Sequence, residues 1–406
     1  MPTSPSALSG TRVVDFGWAW AGAVCGQILG DFGAEVIKVE SRSRLDPMRQ
    51  GRPIIGDKPD PEQNPISSNV NRNKYSLAVN LKKSEAVDLV RKLVAISDVV
   101  VENMSVGVLD RLGLGYETLQ AVRPDIIMVS LPAAGRTGPL SKIRAYGPTI
   151  TGLSGLDSLV GYENEIPTGF QQPIADPNVG LHAVLAVLAA LRHRRRTGEG
   201  QYIETSQLQT LLPLLGSAIA EYTMTGRVPG PQDNRRPGFA PYGTYACSGE
   251  DQWVSVAVAT NQEWAALCGA IGLPGLESDS RFLTSGLREK NRLELDDLVS
   301  GWTLQRSAKD AAAALQSSGV AAAPCLGVEG RFLNEHFRDR EVYVPVTHPV
   351  LGAEFIYATP WKFSKTPPRV FRRVPQLGEH NEYVVRDLLG MSDHKIADLK
   401  ASGALE

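Results

Sequence analysis

The sequence is poor in the features that mark several protein classes. Its four cysteines, Cys25, Cys247, Cys268 and Cys325, are scattered without a CxxC pair, a usage that fits neither a disulfide framework nor a zinc site. Net charge is almost nil, −2 from 42 basic and 44 acidic side chains, so no long-range field draws the chain toward nucleic acid or an anionic membrane. No basic-then-apolar leader opens the sequence, and no stretch of about 18 residues is free of charge and turn residues. Together these absences predict a soluble, cytoplasmic protein with no nucleic-acid or membrane partner. The six histidines show no HExxH spacing, so no metal site is expected. DFG at Asp31–Gly33 lacks the other kinase motifs, and Gly113-Leu114-Gly115 lacks the third glycine and preceding strand of a dinucleotide fingerprint. No repeat or low-complexity tract is present.

What is there reads as alternating strands and helices. TRVVDF from Thr11, an apolar periodic stretch through AVCGQILGDFGA and then EVIKVE make strand, helix, strand. The alternation continues with SLAVNL (Ser76–Leu81), a helix over Ser84–Ile96, DVVVEN (Asp98–Asn103), a short helix near Val106–Leu112, and DIIMVSLP (Asp125–Pro132). This order predicts a parallel, helix-covered sheet of the α/β class. The Pro- and Gly-rich Arg42–Asn73 segment is too long for a plain connection and is expected to be a functional loop over the strand ends, where ligands of open α/β sheets bind.

The strongest helix signal runs over Pro177–Arg196, with an apolar body and the basic end RHRRR, whose cations suit the negative pole of the helix. A second helix is expected near Ser206–Met224. GRVPGPQDNRRPGFAPYG then changes the composition and marks a boundary. Beyond it come a strand pair around TYACSGEDQWVSVAVA, helices near Gln262–Ile271 and Ser307–Ser318, and APCLGV (Ala323–Val328) as a last strand. EFIYAT is a strand of the tail, and LGEHNEYVVRDLLG and SDHKIADLKASG close the chain as helical segments. The domains so delimited are a large one over residues 1–225, a small one over 226–330 and a return over 331–406.

Asp176, in ADP before the long helix, has two physical readings. As a helix N-cap it needs no further role, with Pro177 suited to the first helical position. A carboxylate at a helix N-terminus is also held ionised by the backbone N–H groups, as a nucleophilic aspartate requires at neutral pH.

Five stretches decide between these readings: VVDFGWAWAGAVCGQILGDFGAEVIKVE, NRNKYSLAVNLKK, VVVENMSVGVLDRLGLGYETL, ADPNVGLHAVLAVLAALRHRRRTGEGQYIETS and the closing LGEHNEYV. On them the chain resembles, over essentially its whole length, the class III CoA-transferases, the family of formyl-CoA transferase and the carnitine and bile-acid CoA-transferases. The resemblance implies a large Rossmann-like domain made from both chain ends, a smaller inserted α+β domain, and two protomers interlocked as a dimer. It implies that Asp176 is the nucleophile, passing through an aspartyl anhydride and an aspartyl-CoA thioester, with CoA as substrate and no permanent cofactor. By position it assigns CoA contacts to Val79, Lys82, Arg111 and Leu112 at the adenine and phosphate end, to the Trp18-Ala19-Trp20-Ala21 turn near the thiol, and to Tyr146 beside the reacting centre. Read without the family, Lys82 and Arg111 are solvated charges, while Val79 and Leu112 are core.

Two positions depart from the family pattern. Ser41 stands where many relatives have an arginine, with Arg42 the next residue able to replace it, and Gly147 stands where formyl-CoA transferase has a supportive glutamate. These departures argue against a formyl or oxalyl enzyme. With Trp18 and Trp20 they predict a roomy apolar pocket for a larger or aromatic (di)carboxylic acid, as in a succinyl-CoA:benzylsuccinate enzyme. Two alternatives stay open: a weakly or non-catalytic subunit of a heteromer with a paralogous chain, and a CoA-ester racemase. The racemase would need a histidine in RTGPLSKIRAYGPTI, which has none.

Overall fold

The computed structural model describes residues 6–50, 54–56 and 60–406. The described chain divides into two compact units, one of Met1–Asp157, Gly169–Val228 and Arg338–Glu406, the other of Ser158–Thr168 and Pro229–Phe337. The short excursion at 158–168 carries no compositional signal. Asp157 brackets it, accepting from Thr151 Oγ1 at 3.0 Å and from Phe170 N at 3.0 Å.

The larger unit is built on six parallel strands: β1 (Arg12–Phe16), β2 (Glu35–Glu40), β3 (Lys74–Ala78), β4 (Val99–Glu102), β5 (Ile127–Ser130) and β6 (Tyr202–Glu204), in the order β3-β2-β1-β4-β5-β6. This is the doubly wound arrangement, in which the chain reverses direction at β1 and β4 and leaves a crevice beyond their carboxyl ends. Successive strand residues point to opposite faces, so each strand feeds two cores. Val14, Ile37, Val100 and Met128 pack under the helix Ser84–Ala95 and the closing helices, whose Val384, Val385, Ile396 and Leu399 are buried there. Val13, Val36, Val99, Ile127 and Val129 pack under the helices Ala21–Asp31 and Ala175–Thr197.

The outer edge of β3 is covered rather than open. Gly378 N donates to Ser76 Oγ at 2.9 Å, His380 Nδ1 accepts from Ser76 N at 3.2 Å, and Asn381 Oδ1 accepts from Ala78 N at 2.8 Å. The closing LGEHN string thus serves as a cap on a sheet edge that would otherwise present unpaired backbone groups.

The smaller unit holds the antiparallel sheet β7 (Tyr242–Ala246), β8 (Trp253–Ala257) and β9 (Ala321–Pro324), packed on the helices Asn261–Ala270, Arg292–Thr303 and Ala308–Ser317. A hairpin of β10 (Tyr343–His348) and β11 (Gly352–Tyr357) belongs to the larger unit.

Several local expectations shift. β3 begins two residues before SLAVNL, because Lys74 and Tyr75 already pair with Val36 and Ile37. The strand expected over Ala323–Val328 ends at Pro324, and Val328–Leu333 is helical. The single helix expected near Ser206–Met224 is broken at Pro213 into Gln207–Leu211, a tight turn and Gly216–Thr225, since proline cannot donate to the preceding turn. β6, in QYIETS, has too few residues for alternation to reveal it. Among the described residues no helix is long and apolar enough to cross a membrane, and no group of His, Cys, Asp or Glu is arranged to hold a metal ion.

Candidate active site

Crossover helices of a parallel sheet run against the strands, so their N-termini lie at the carboxyl ends of the strands. Two such N-termini meet here. The helices Ala21–Asp31 and Ala175–Thr197 pack closely at Gly180, where a Cβ would stand 2.8 Å from Val24 Cγ1 and 3.3 Å from Ala21 O. Asp176 is one turn nearer the helix start, on the same face as Gly180. Its carboxylate is therefore carried to the crevice end of the sheet.

Asp176 is not the cap expected from the sequence. The helix starts at Ala175 with Ile174 as N-cap and no side-chain capping bond, which leaves Asp176 inside the first turn. Nor is it held ionised by its neighbours. Burial pushes the Asp176 carboxyl up to about 6, with no offsetting hydrogen bond or charge among the described residues. Loss of water around an unpaired carboxylate outweighs the favourable helix end.

Gly147 approaches it closely: a Cβ there would lie 3.1 Å from Asp176 Oδ2 and 3.3 Å from Pro173 Cβ. Gly147 opens the helix Gly147–Ser154, capped by Tyr146, whose backbone N–H binds Thr149 Oγ1 at 3.0 Å and which is itself 72% exposed. The structure thus brings Tyr146, Gly147 and Asp176 together. A side chain at residue 147 would therefore press on the Asp176 carboxylate.

The Gly17–Trp20 loop leaves β1 at the chain reversal. Its backbone is bound almost group by group. Gly17 N donates to Asp15 Oδ1 at 2.6 Å, and Asn103, just after β4, accepts from Trp18 N at 2.7 Å and donates to Trp18 O at 2.8 Å. Arg44 stacks over the Trp18 ring at 4.7 Å, and Trp20 caps the helix Ala21–Asp31 while packing on the core. Asn103 was not among the residues selected from sequence, although VEN follows a strand that must end at the crevice.

The remaining expected contacts spread along the same carboxyl edge. Val79 and Lys82 follow β3, and Arg111 and Leu112 sit in and after the short helix Val108–Arg111 beyond β4. From β3 to β4 is three strand spacings, about 14 Å. Lys82 and Arg111 are exposed, whereas Leu112 packs partly on the core. Val79 is fully buried, with its N–H bound to Glu40 O at 2.8 Å, so it offers no side-chain surface to a ligand. Ser41 Oγ donates to Glu406 Oε2 at 2.8 Å, and Arg42 Nη2 to Leu377 O at 2.9 Å.

Comparison with known proteins places the chain among relatives over nearly its whole length. The sequence model of CoA-transferase family III matches residues 8–381. The chain is 34% identical over 404 residues to a succinyl-CoA–D-citramalate CoA-transferase of Chloroflexus aurantiacus, covering 98% of each chain. It is 32% identical to a succinate–glutarate CoA-transferase of Agrobacterium fabrum, covering 96% of this chain and 97% of that one. Among solved structures, a CAIB/BAIF family protein from Brucella suis superposes with a TM-score of 0.85 at 32% identity, over 95% of this chain and all of that one.

Proposed function

Because the chain belongs to CoA-transferase family III, we propose that it moves CoA from succinyl-CoA to a second, larger dicarboxylic acid with Asp176 as the covalent nucleophile. The observation that carries this reading is the half-buried Asp176 carboxylate, unpartnered among the described residues and placed beneath Gly147. A carboxylate freed of water and of ion pairs is a better nucleophile than a solvated one.

Its oxygen attacks the thioester carbonyl and expels CoA thiolate, leaving a mixed anhydride. The thiolate then attacks the aspartyl carbonyl, releasing the donor acid and forming an aspartyl-CoA thioester. The acceptor carboxylate attacks that thioester, and thiolate attack on the acceptor's carbonyl in the new anhydride yields the product and restores Asp176. Over the whole cycle one thioester is exchanged for another of similar energy, the anhydrides being higher-energy intermediates, so the principal loss is to water. The Trp18–Ala21 loop and Tyr146 flank the reacting carbons in this reading, and the edge from Val79 and Lys82 to Arg111 and Leu112 carries the nucleotide end, where the two cations suit phosphate. Val79, buried with its N–H bound, would act there only by holding the backbone of that edge.

The acceptor is drawn from the similarity to enzymes named for citramalate and glutarate. Trp18 and Trp20 together with the absent side chain at residue 147 extend it to aromatic diacids such as benzylsuccinate. The chain is proposed to work as an interlocked pair with a second copy of itself. In support, the helix Gly216–Thr225 has no buried residue, and Met224 is 83% and Leu185 68% exposed. A cytoplasmic setting fits the four free thiols.

The test is intact-protein mass after incubation with succinyl-CoA and then hydroxylamine or borohydride, in wild type and Asp176→Ala. A mass change that maps to Asp176 and vanishes in the variant supports the reading; none with any acyl-CoA overturns it. Sedimentation of the purified chain distinguishes a self-paired enzyme from one that needs a paralogous subunit.

A further inference from the structure

The buried pair Lys38 and Asp46 has no assigned part in the chemistry, and its cost needs a reason. Lys38 is 1% and Asp46 4% exposed, with Nζ and Oδ2 2.8 Å apart. Taking two charges out of water yields little net stability over an apolar pair of the same shape. What the pair does do is hold the β1 loop from both sides. Lys38 Nζ donates to Gly17 O at 2.5 Å, while Asp46 Oδ1 accepts from Ala19 N at 3.1 Å and from Met48 N at 2.9 Å. Ala19 sits at φ +55°, a left-handed conformation that costs a non-glycine residue about 1 kcal/mol and persists only where surroundings enforce it. Asn103 fixes the intervening Trp18. The strained turn is therefore locked by groups from three places: β2, the segment after β2, and the end of β4.

We propose that Asp46, acting with Lys38, is a positioning residue for CoA transfer, holding the Trp18–Ala21 turn in the geometry that the acyl group meets beside Asp176. The proposal rests on the reading of Asp176 as nucleophile. Because Lys82 and Arg111 hold the far end of CoA in that reading, loosening the turn lowers the rate while leaving CoA affinity nearly intact. Misplacing reacting groups by about 1 Å costs on the order of 100-fold.

The experiment compares wild type, Asp46→Asn, Asp46→Ala and the charge-neutral double variant Lys38→Met, Asp46→Ala, each checked for folding by circular dichroism. Steady-state turnover with succinyl-CoA, KM for succinyl-CoA and the rate of adduct formation at Asp176 are read in every protein. The expected result is a kcat about 100-fold lower in Asp46→Ala, with KM within about threefold of wild type. Asp46→Asn keeps an acceptor for the Ala19 N–H and recovers about tenfold of the loss. If Asp46→Ala fails to fold because Lys38 is left unpaired, the double variant carries the same expectation. Folded variants with wild-type kcat, or with a loss confined to KM, overturn the proposal alone. A wild type that forms no adduct overturns the nucleophile reading and this one with it.

Discussion

Replacing Asp176 by asparagine removes one titratable group and keeps nearly the same shape, so pH can read the difference between the two proteins. Burial raises the Asp176 carboxyl from its ordinary 3.8 to about 6. A carboxyl raised in the fold penalises the native state wherever it is ionised. The penalty is in full force above the folded value, is relieved as pH falls through it, and is gone below the unfolded value. At 1.36 kcal/mol per unit the full penalty is about 3 kcal/mol, of which about 1.4 kcal/mol is recovered between roughly pH 8 and roughly pH 5. Asp176→Asn should therefore exceed wild type in stability near neutrality, and that margin should shrink by about 1.4 kcal/mol on acidification to about pH 5.

Denaturant midpoints of both proteins at several pH values measure the margin. All other groups titrate alike in the two chains, so their contributions cancel. In the proposed reading the same ionisation governs chemistry, because there only the carboxylate attacks. The rate of adduct formation from succinyl-CoA should be level above about pH 7 and fall about tenfold per unit well below pH 6. A margin flat to within about 0.3 kcal/mol, or an adduct rate undiminished at about pH 5, would refute a desolvated, unpartnered nucleophile.

Two further predictions concern glycines. Gly147→Ala places a methyl 3.1 Å from Asp176 Oδ2, so the carboxylate must shift by a few tenths of an ångström. Turnover should drop about tenfold with donor KM little changed, and steady-state kinetics equal to wild type would show that the close approach is not functional. Gly180→Ala drives a methyl to 2.8 Å from Val24 Cγ1 and should cost about 1–3 kcal/mol in chemical denaturation, against the gain in helix propensity. Adding Val24→Ala should restore part of that loss, and strict additivity of the two changes would contradict the contact.

The strands and helices of the larger unit were legible because local periodicity fixes them: Val13/Val14 and Val36/Ile37 feed opposite faces of a sheet covered on both sides. The strand order follows from the alternation only in part, since no residue string states that β4 lies beside β1. β6 escaped because three residues carry no period, and the 158–168 excursion because its reassignment depends on long-range contacts. Asp176 is legible from its neighbours in sequence, but the direction of its shift is not. A helix start would hold the carboxyl below its ordinary value, whereas in the fold burial without a partner raises it.

The strings that make the family recognisable turn out to be largely a brace. Lys38 of VIKVE binds the Gly17 carbonyl, and Lys74 of NRNK binds Asp15 at 2.8 Å, whose other oxygen holds Gly17 N. Arg72 and Asn73 of the same string converge on Asp31, Asn103 of VEN grips Trp18, and Asn381 of LGEHN closes the β3 edge. Each is a buried or half-buried polar group whose loss would strand a partner. In the proposed reading acceptor choice falls instead to the surroundings of Trp18, Tyr146 and Gly147, where Tyr146 is exposed and residue 147 has no side chain. Such a sequence announces the bonds that hold the turn far more plainly than the acid the proposal assigns to it.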